Sequence, residues 1–545
     1  MPVHYFTYPV KAKPALAANF GELRPNHFHM GLDCKTDQKE NVPVVAAADG
    51  YVAKVKIEPY GFGRAIYVNH PNGLTTLYAH LNNFFPFLEV YVKEQQYKLK
   101  QWSIFIDLPP GLFSTKQGDL LAYSGNTGGS QGPHLHFEIR DTQSDKVLNP
   151  SLFNFPIADN VPPSLLRLAV YNRNLSTYSQ TPKLFGLKYS GGVYQPTSPT
   201  ILTSDKVSFG FSGHDKYTGS TNNNGVFEAE IYFDEVLMSS FRLDSMSYDD
   251  TRYINAHIDY KLKAGGGPYI QHLSRLPGYP VSVYKDWSSD GVITLADDSI
   301  HNIRIVIKDA NANVSELQFK IKRNNAAYNI DSKVPNQQEN FEPNAINIFD
   351  RDDIQLVLDE KALYDSLRFT YTATQSSTPG AISKLHLVQS GLIPVQDSFS
   401  IKIKPNIDSN NLDTAHVIMV RQWGGKTEAY KPVYKDGWYA ARFRNFGNFQ
   451  LVKDESPPSV YAYNLKENAV LTSATQIMFT VKDNYEDLQN FRAELDGKWL
   501  RFSNDKGKTF IYRFDEKCQP GLHELIIRVE DIAGNITSKT YHFTR

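Results

Sequence analysis

Gly125-Asn126-Thr127-Gly128-Gly129-Ser130-Gln131-Gly132-Pro133 leads straight into His134-Leu135-His136-Phe137-Glu138-Ile139. A glycine-rich loop followed by strict alternation reads as a turn entering a β-strand, on which successive side chains point to opposite faces. Leu135, Phe137 and Ile139 then share a face that belongs in a core. His134, His136 and Glu138 share the other, so two imidazoles stand side by side on a rigid element. That is a means of setting a metal ligand beside a second catalytic group, provided the rest of the chain brings further ligands.

The chain of 545 residues is too long for one core. Its 32 Tyr and 32 Phe, punctuated by 34 Gly and 30 Pro, predict a mainly β fold. A net charge of -1 with no long basic run argues against nucleic acid as a partner. Cys34 and Cys518 stand too far apart in sequence to read as a disulfide framework. No window reaches the roughly 18–20 apolar residues of a transmembrane helix, and Met1-Pro2-Val3-His4 does not open a signal peptide.

Residues 1–20 read as an extended lead-in. In His27-Phe28-His29-Met30-Gly31-Leu32-Asp33, an extended run would put His29, Gly31 and Asp33 on one face, and His and Asp are both zinc ligands. His27 reads as a rim or supporting residue. Val42 to Val55 predicts a hairpin around Asp49-Gly50, and Arg64 to Leu81 a second around Pro71-Asn72-Gly73. In the return strand of the second, Thr76, Tyr78 and His80 alternate with Leu77, Ala79 and Leu81, which would put His80 on the outward face. His70 reads as structural. Residues 83–116 interrupt the β pattern, and the apolar Phe84, Phe85 and Phe87 predict that they pack as a groove wall or lid.

His29-x-x-x-Asp33, Tyr78-Ala79-His80 and Gly132-Pro133-His134-Leu135-His136, in that order, resemble the lysostaphin/LytM-type zinc endopeptidases of bacterial cell walls. Asp49-Gly50, Tyr60-Gly61, His70 with Asn72-Gly73, Gly125-Asn126-Thr127-Gly128 and Asn149-Pro150 support the resemblance, which covers residues 20–155. The 83–116 segment is its clear departure. The resemblance implies an antiparallel LytM-type sheet, a zinc ion held by His29, Asp33 and His136, and His80 and His134 as the catalytic pair outside the ligand set. It makes Glu138 a supporting residue rather than the base. It further implies peptidoglycan as substrate, hydrolysis of its stem peptides or cross-links, and a place in the periplasm or extracellular envelope. A non-enzymatic relative that binds cell wall or regulates an amidase is the alternative; such relatives typically lack the ligands.

The remainder carries an internal repeat. Asp159 with Val161-Pro162-Pro163 matches Asp454 with Ser456-Pro457-Pro458, and Phe209-Gly210-Phe211 to Asp215 echoes Met478-Phe479-Thr480 to Asp483. His301 to Asp309 and Asn313 match His523 to Asp531 and Asn535. An alternating strand, a turn and a final strand describe the end of a small immunoglobulin-like β-sandwich. The expected organisation is a peptidase domain at 1–158, a β-sandwich module at 159–323, a β-rich module at 324–453 opening on a polar linker, and a second repeat module at 454–545. The modules are expected to bind or orient, leaving the first domain able to act alone on small soluble peptides. Asn222-Asn223-Asn224 and Asp249-Asp250 have the oxygen donors to bind calcium but read as solvated loops.

Overall fold

The computed structural model describes residues 5–202, 204–280, 283–323, 339–406, 414–485, 488–507 and 509–545. Most of the linker read at its start lies outside these residues. The chain is mostly β, and the first 150 residues are built as follows. Strands β1 (Leu16–Ala18), β2 (Leu23–Arg24), β3 (His27–Phe28), β4 (Leu32–Lys35), β5 (Pro43–Val45), β6 (Gly50–Ile57), β7 (Arg64–Asn69), β8 (Leu74–Ala79) and β9 (Leu81–Phe84) precede helix α1 (Pro86–Leu99). Strands β10 (Ile104–Asp107), β11 (Ser114–Thr115), β12 (Leu120–Ser124), β13 (His134–Asp141) and β14 (Val147–Leu148) follow it. The main antiparallel sheet runs β1-β4-β13-β8-β7-β6-β10, and β5-β12-β9 form a small second sheet. Leu135, Phe137 and Ile139 of β13, Val55 of β6, Ile66 of β7 and Tyr78 of β8 close a common core with Val44 and Leu121. Each such side chain contributes about 1.5–3 kcal/mol when fully buried.

One expectation fails here and another holds in part. The hairpin at Asp49-Gly50 does not form: β5 pairs with β12, whereas β6 pairs with β7. Ala46, Ala47 and Ala48, all buried, carry the chain between the two sheets, and the Asp49 carboxylate accepts from Gln117 N and Lys116 Nζ. Residues 83–116 pack as expected but extend the fold, and none of them borders the cleft at His80 and His134. Pro86 starts α1, whose Leu88 and Val92 enter the core, while β10 and β11 pair with β6. An edge strand offers unpaired backbone groups, and these short strands satisfy them.

The repeat folds twice into the same hairpin. Ile300–Lys308 pairs with Val314–Arg323, and Leu522–Asp531 with Ile536–Thr544. Ile303, Ile305 and Ile307 are buried in one copy, and Leu525, Ile527 and Val529 at the matching places in the other.

The units are not independent. Phe20, Phe28, Met30 and Val147 belong to a core shared with Phe211, Leu243 and Met246, and β14 pairs with Ser245–Met246. This crosses the boundary drawn near 158 and runs against a first domain that acts alone: the sequence alternation hides which apolar residues face a neighbour. Asn222-Asn223-Asn224 is solvated only in part: Asn223 is exposed, but Lys35 donates to Asn222 Oδ1 at 2.6 Å and Asn224 is buried. The last unit returns to α1, where Lys93 pairs with Asp515 at 2.8 Å and Arg501 donates to Gln96 at 2.9 Å.

Candidate metal centre

β13 pairs with β4 so that His136 stands directly opposite Asp33, and residues so paired share a face. His29 arrives from the other side of Gly31. A Cβ on Gly31 would lie 2.5 Å from the Phe137 carbonyl oxygen and 2.9 Å from His136 Cε1, so only glycine lets the chain pass there. The expected continuous extended run from His29 to Asp33 is broken: β3 ends at Phe28 and β4 begins at Leu32. Met30 and Leu32 fall in different cores.

His29 Nε2 lies 2.9 Å from Asp33 Oδ1 and 3.0 Å from His136 Nδ1, and His136 Nδ1 lies 3.0 Å from Asp33 Oδ1. All three residues are buried. The far side of each group settles what faces inward. His29 Nδ1 donates to the Asn19 carbonyl at 2.7 Å. His136 Nε2 donates to Glu138 Oε1 at 2.9 Å. Arg24 Nη2 donates to Asp33 Oδ2 at 2.8 Å. In the neutral rings His29 Nε2 and His136 Nδ1 are then lone pairs, and three acceptors converge on one point. A metal cation would satisfy such a set, and so does a proton on His136: burial lowers its imidazole, but hydrogen bonds to Asp33 and Glu138 push it up to about 9. Tetrahedral zinc ligands at about 2.0–2.1 Å from the ion stand roughly 3.3 Å apart, close to what is found. With protons on these rings in place of a metal, burial would still raise the Asp33 carboxyl, but the His29 charge and hydrogen bonds from His134, His136 and His29 hold it well below the usual carboxylate range.

Glu138 is fully buried beneath His136. It also accepts from Arg140 Nε at 2.7 Å and from the Tyr248 hydroxyl of the following module. Burial opposes its charge, but Arg140 and then His136 bring its carboxyl down to about 2. A buried carboxylate behind a ligating imidazole fixes the tautomer and orients the ring. Neither Tyr248 nor Asn19 carried a sequence signal for this role.

His134 and His80 flank the cluster. His134 Nδ1 donates to Gly132 O at 2.8 Å, and its Nε2 lies 3.3 Å from Asp33 Oδ1. His80 Nδ1 donates to Thr127 O at 2.8 Å, and the two rings stand 4.8 Å apart between centroids. Simple alternation does not bring His80 here. Tyr78 pairs with Phe137 and points into the core with it, so a regular strand would have sent His80 inward too. Instead His80 has φ of 60°, a left-handed conformation rare for side-chain-bearing residues and frequent at functional sites. Burial, then the His134 charge, pushes its imidazole down to about 3. His27 is exposed, and His70 is a structural link between Asp49 O and Thr76 Oγ1, 2.8 Å from each.

The cleft over these groups is about 470 Å³ and is bordered by Glu22, Arg24, Ser130 and Gln131. Its glycine loop is braced from both sides. Gly63 and Gly128 approach so closely that a Cβ on Gly63 would lie 2.5 Å from the Thr127 carbonyl carbon. From the last module, Asp505 Oδ1 accepts from Gly128 N at 2.8 Å and Lys506 Nζ donates to Ser130 O at 2.9 Å.

Residues 27–97 match the model of peptidase family M23, so an M23 peptidase domain stands at the N-terminus of this mostly β chain. The match takes in His29, Asp33 and His80, with His134 and His136 beyond it, and residues 338–454 match the Zu5-like domain. The chain is 33% identical over 136 residues to an uncharacterized metalloprotease of Haemophilus influenzae, covering 25% of this chain and 22% of that protein. It is 28% identical over 161 residues to the peptidoglycan DD-endopeptidase ShyA of Vibrio cholerae, covering 28% and 31%. The chain thus spans less than a third of the length of these relatives. A zinc-containing peptidase from Vibrio cholerae, seen in a crystal structure, aligns at 26% identity over 27% of this chain and 39% of its own, with a TM-score of 0.21.

Proposed function

We propose that this chain is a zinc-dependent endopeptidase that hydrolyses peptide bonds in bacterial peptidoglycan, at the D-alanyl cross-links of its peptides. The observation that carries the reading is the convergence of His29 Nε2, Asp33 Oδ1 and His136 Nδ1, each turned inward by a partner on its far side. These three residues would hold the metal, which when bound supplies Lewis acidity and lowers the pKa of a water to about 7. The chain's own residues do the rest. His134 and His80 each spend Nδ1–H on a carbonyl, so in the neutral rings both Nε2 atoms are acceptors able to take the proton of an attacking water, that of His134 beside Asp33 Oδ1. Once protonated, either ring is a donor to the developing oxyanion. Arg24 occupies Asp33 Oδ2, which would leave Oδ1 for the metal.

Relatives named DD-endopeptidases support this substrate class, and a peptidoglycan substrate is reached from the periplasm or extracellular envelope. No helix among the described residues is long and apolar enough to cross a membrane. The chain divides into the peptidase domain at 1–158 and modules at 159–323, 324–453 and 454–545, the modules positioning the first on its polymeric substrate. The test is mass analysis of products from purified cross-linked sacculi, before and after chelation. Release of uncross-linked peptides that stops with chelator and resumes with zinc is expected. Intact sacculi with zinc-loaded protein, or cleavage confined to glycine bridges, would overturn the proposal.

A further inference from the structure

The repeat noticed in the sequence carries the same carboxylate triad to the same place twice. Asp159, Asp215 and Asp309 each bring a carboxylate oxygen within 4.8 Å of the other two, and Asp454, Asp483 and Asp531 do the same. In each copy one member comes from the segment entering the module, one follows its Lys206–His214 or Gln476–Lys482 strand, and one stands at the end of the Ile300–Lys308 or Leu522–Asp531 strand. Two of the first three and two of the second are buried. Among the described residues none of the six forms an ion pair with Lys or Arg.

Part of each triad is satisfied by the protein. Asp309 Oδ1 accepts from Asn311 N and Asn313 N, and Asp531 Oδ1 from Gly534 N and Asn535 N. The rest is not. Asp215, 2% exposed, has its Oδ1 buried with no partner, and Asp454, 3% exposed, has its Oδ2 in the same condition. Asn224 pairs directly opposite Asp215 through both backbone hydrogen bonds, which sets the two side chains on one face. Its Oδ1 is also buried and unpartnered. An unmatched buried acceptor is costly, and two modules that keep one in the same triad share a reason for it. Burial, then Asp309 and Asp159, pushes the Asp215 carboxyl up to about 8, the response of an anion lacking its counterion.

We propose that each triad is a calcium site, one at the entry of the module that follows the peptidase domain and one at the entry of the last module. The donors are all oxygen, three of them anionic, with an amide carbonyl added in the first copy. That is the chemistry of a hard cation; three carboxylates at one point exceed the one or two that usually hold magnesium, which favours calcium, with water completing its shell. Because Asp159 and Asp454 lie on the incoming segments, just before Val161-Pro162-Pro163 and Ser456-Pro457-Pro458, each ion would pin a junction to the module it enters.

The test is radioactive calcium in equilibrium dialysis with the full chain, chelator-stripped and then reloaded with one equivalent of zinc. Two calcium ions per chain are expected, with Kd no weaker than the roughly 10⁻³ M of extracellular modules, together with a calcium-dependent rise in melting temperature. Asp215→Asn and Asp483→Asn should each remove one ion, and the double variant both. In chelator these variants should melt no lower than the parent, since each relieves repulsion among carboxylates. Absence of calcium binding by the parent, unchanged binding by the double variant, or equal occupancy by magnesium at the same concentration would overturn the assignment. So would variants that melt lower than the parent in chelator, because the carboxylates would then be acceptors the fold needs.

Discussion

Replacing Glu138 by Gln separates the support of the metal centre from the centre itself. The side chain keeps its length, but a neutral amide then faces His136 Nε2, Arg140 Nε and the Tyr248 hydroxyl. Taking one partner from a buried ion pair costs about 3–5 kcal/mol. The low end applies here, because Arg140 Nη1 retains Asp145 at 2.9 Å. The metal itself should feel a second, smaller loss. Outer partners of ligating imidazoles are worth 10–100-fold in affinity, or about 1.4–2.7 kcal/mol. Two measurements keep these apart: urea unfolding of the metal-free chain, and zinc competition against a chromophoric chelator on protein shown to be folded. Tyr248→Phe removes one hydrogen bond and no charge, at a cost near the ~1.5 kcal/mol lower end for bonds to charged groups, and should weaken zinc less than tenfold. A folded Glu138→Gln protein that binds zinc within twofold of the parent would refute the idea that Glu138 orients His136.

His136→Ala should lose zinc and turnover together, whereas His134→Ala and His80→Ala should keep zinc and lose roughly a hundredfold or more in turnover; elemental analysis and hydrolysis on the same preparations decide, and zinc lost from His134→Ala alone would reverse the roles. Replacing both Asp505 and Lys506 by Ala should leave zinc in place, speed amide exchange over residues 125–132, and lower kcat/KM several-fold by loosening the loop that holds His80 and His134; unchanged exchange would show that the brace is idle. Ending the chain at 158 bares Phe20, Phe28, Met30 and Val147. At about 1.5–3 kcal/mol each the upper bound is roughly 6–12 kcal/mol, comparable with a whole domain's net stability of about 5–15 kcal/mol. Such a fragment should aggregate, and a soluble, cooperatively unfolding one would refute the shared core.

What could be read from the sequence was what depends on short-range rules. The alternation of His134 to Ile139 dictates its two faces, and the core side of β13 follows it residue by residue. The repeat was legible because both copies bury equivalent rows. What escaped depends on single dihedrals and on partners far along the chain. Alternation carried His80 to the right cleft by the wrong route, because a positive φ at one residue cannot be read from a period of two. Asp49-Gly50 has the composition of a tight hairpin, yet its flanking strands choose partners more than 60 residues away or in the other direction, Val45 with Leu120 and Tyr51 with Asn69. Tyr248 stands 110 residues from Glu138, and no local pattern announces such a contact.

The brace on the glycine loop also imposes an order in time. Asp505 and Lys506 lie 377 and 376 residues beyond the groups they hold. During synthesis the first strands, with His29, Asp33 and His136, are therefore complete long before the residues that steady Gly128 and Ser130 exist. Contacts of such long range close late, because the entropy of bringing the ends together must be met first. A nascent chain can assemble the His29, Asp33 and His136 cluster while the loop beneath His80 and His134 is still unsupported. Full support arrives only with the last module, so the newly made protein carries its own delay between bringing His29, Asp33 and His136 together and steadying the loop beside His80 and His134.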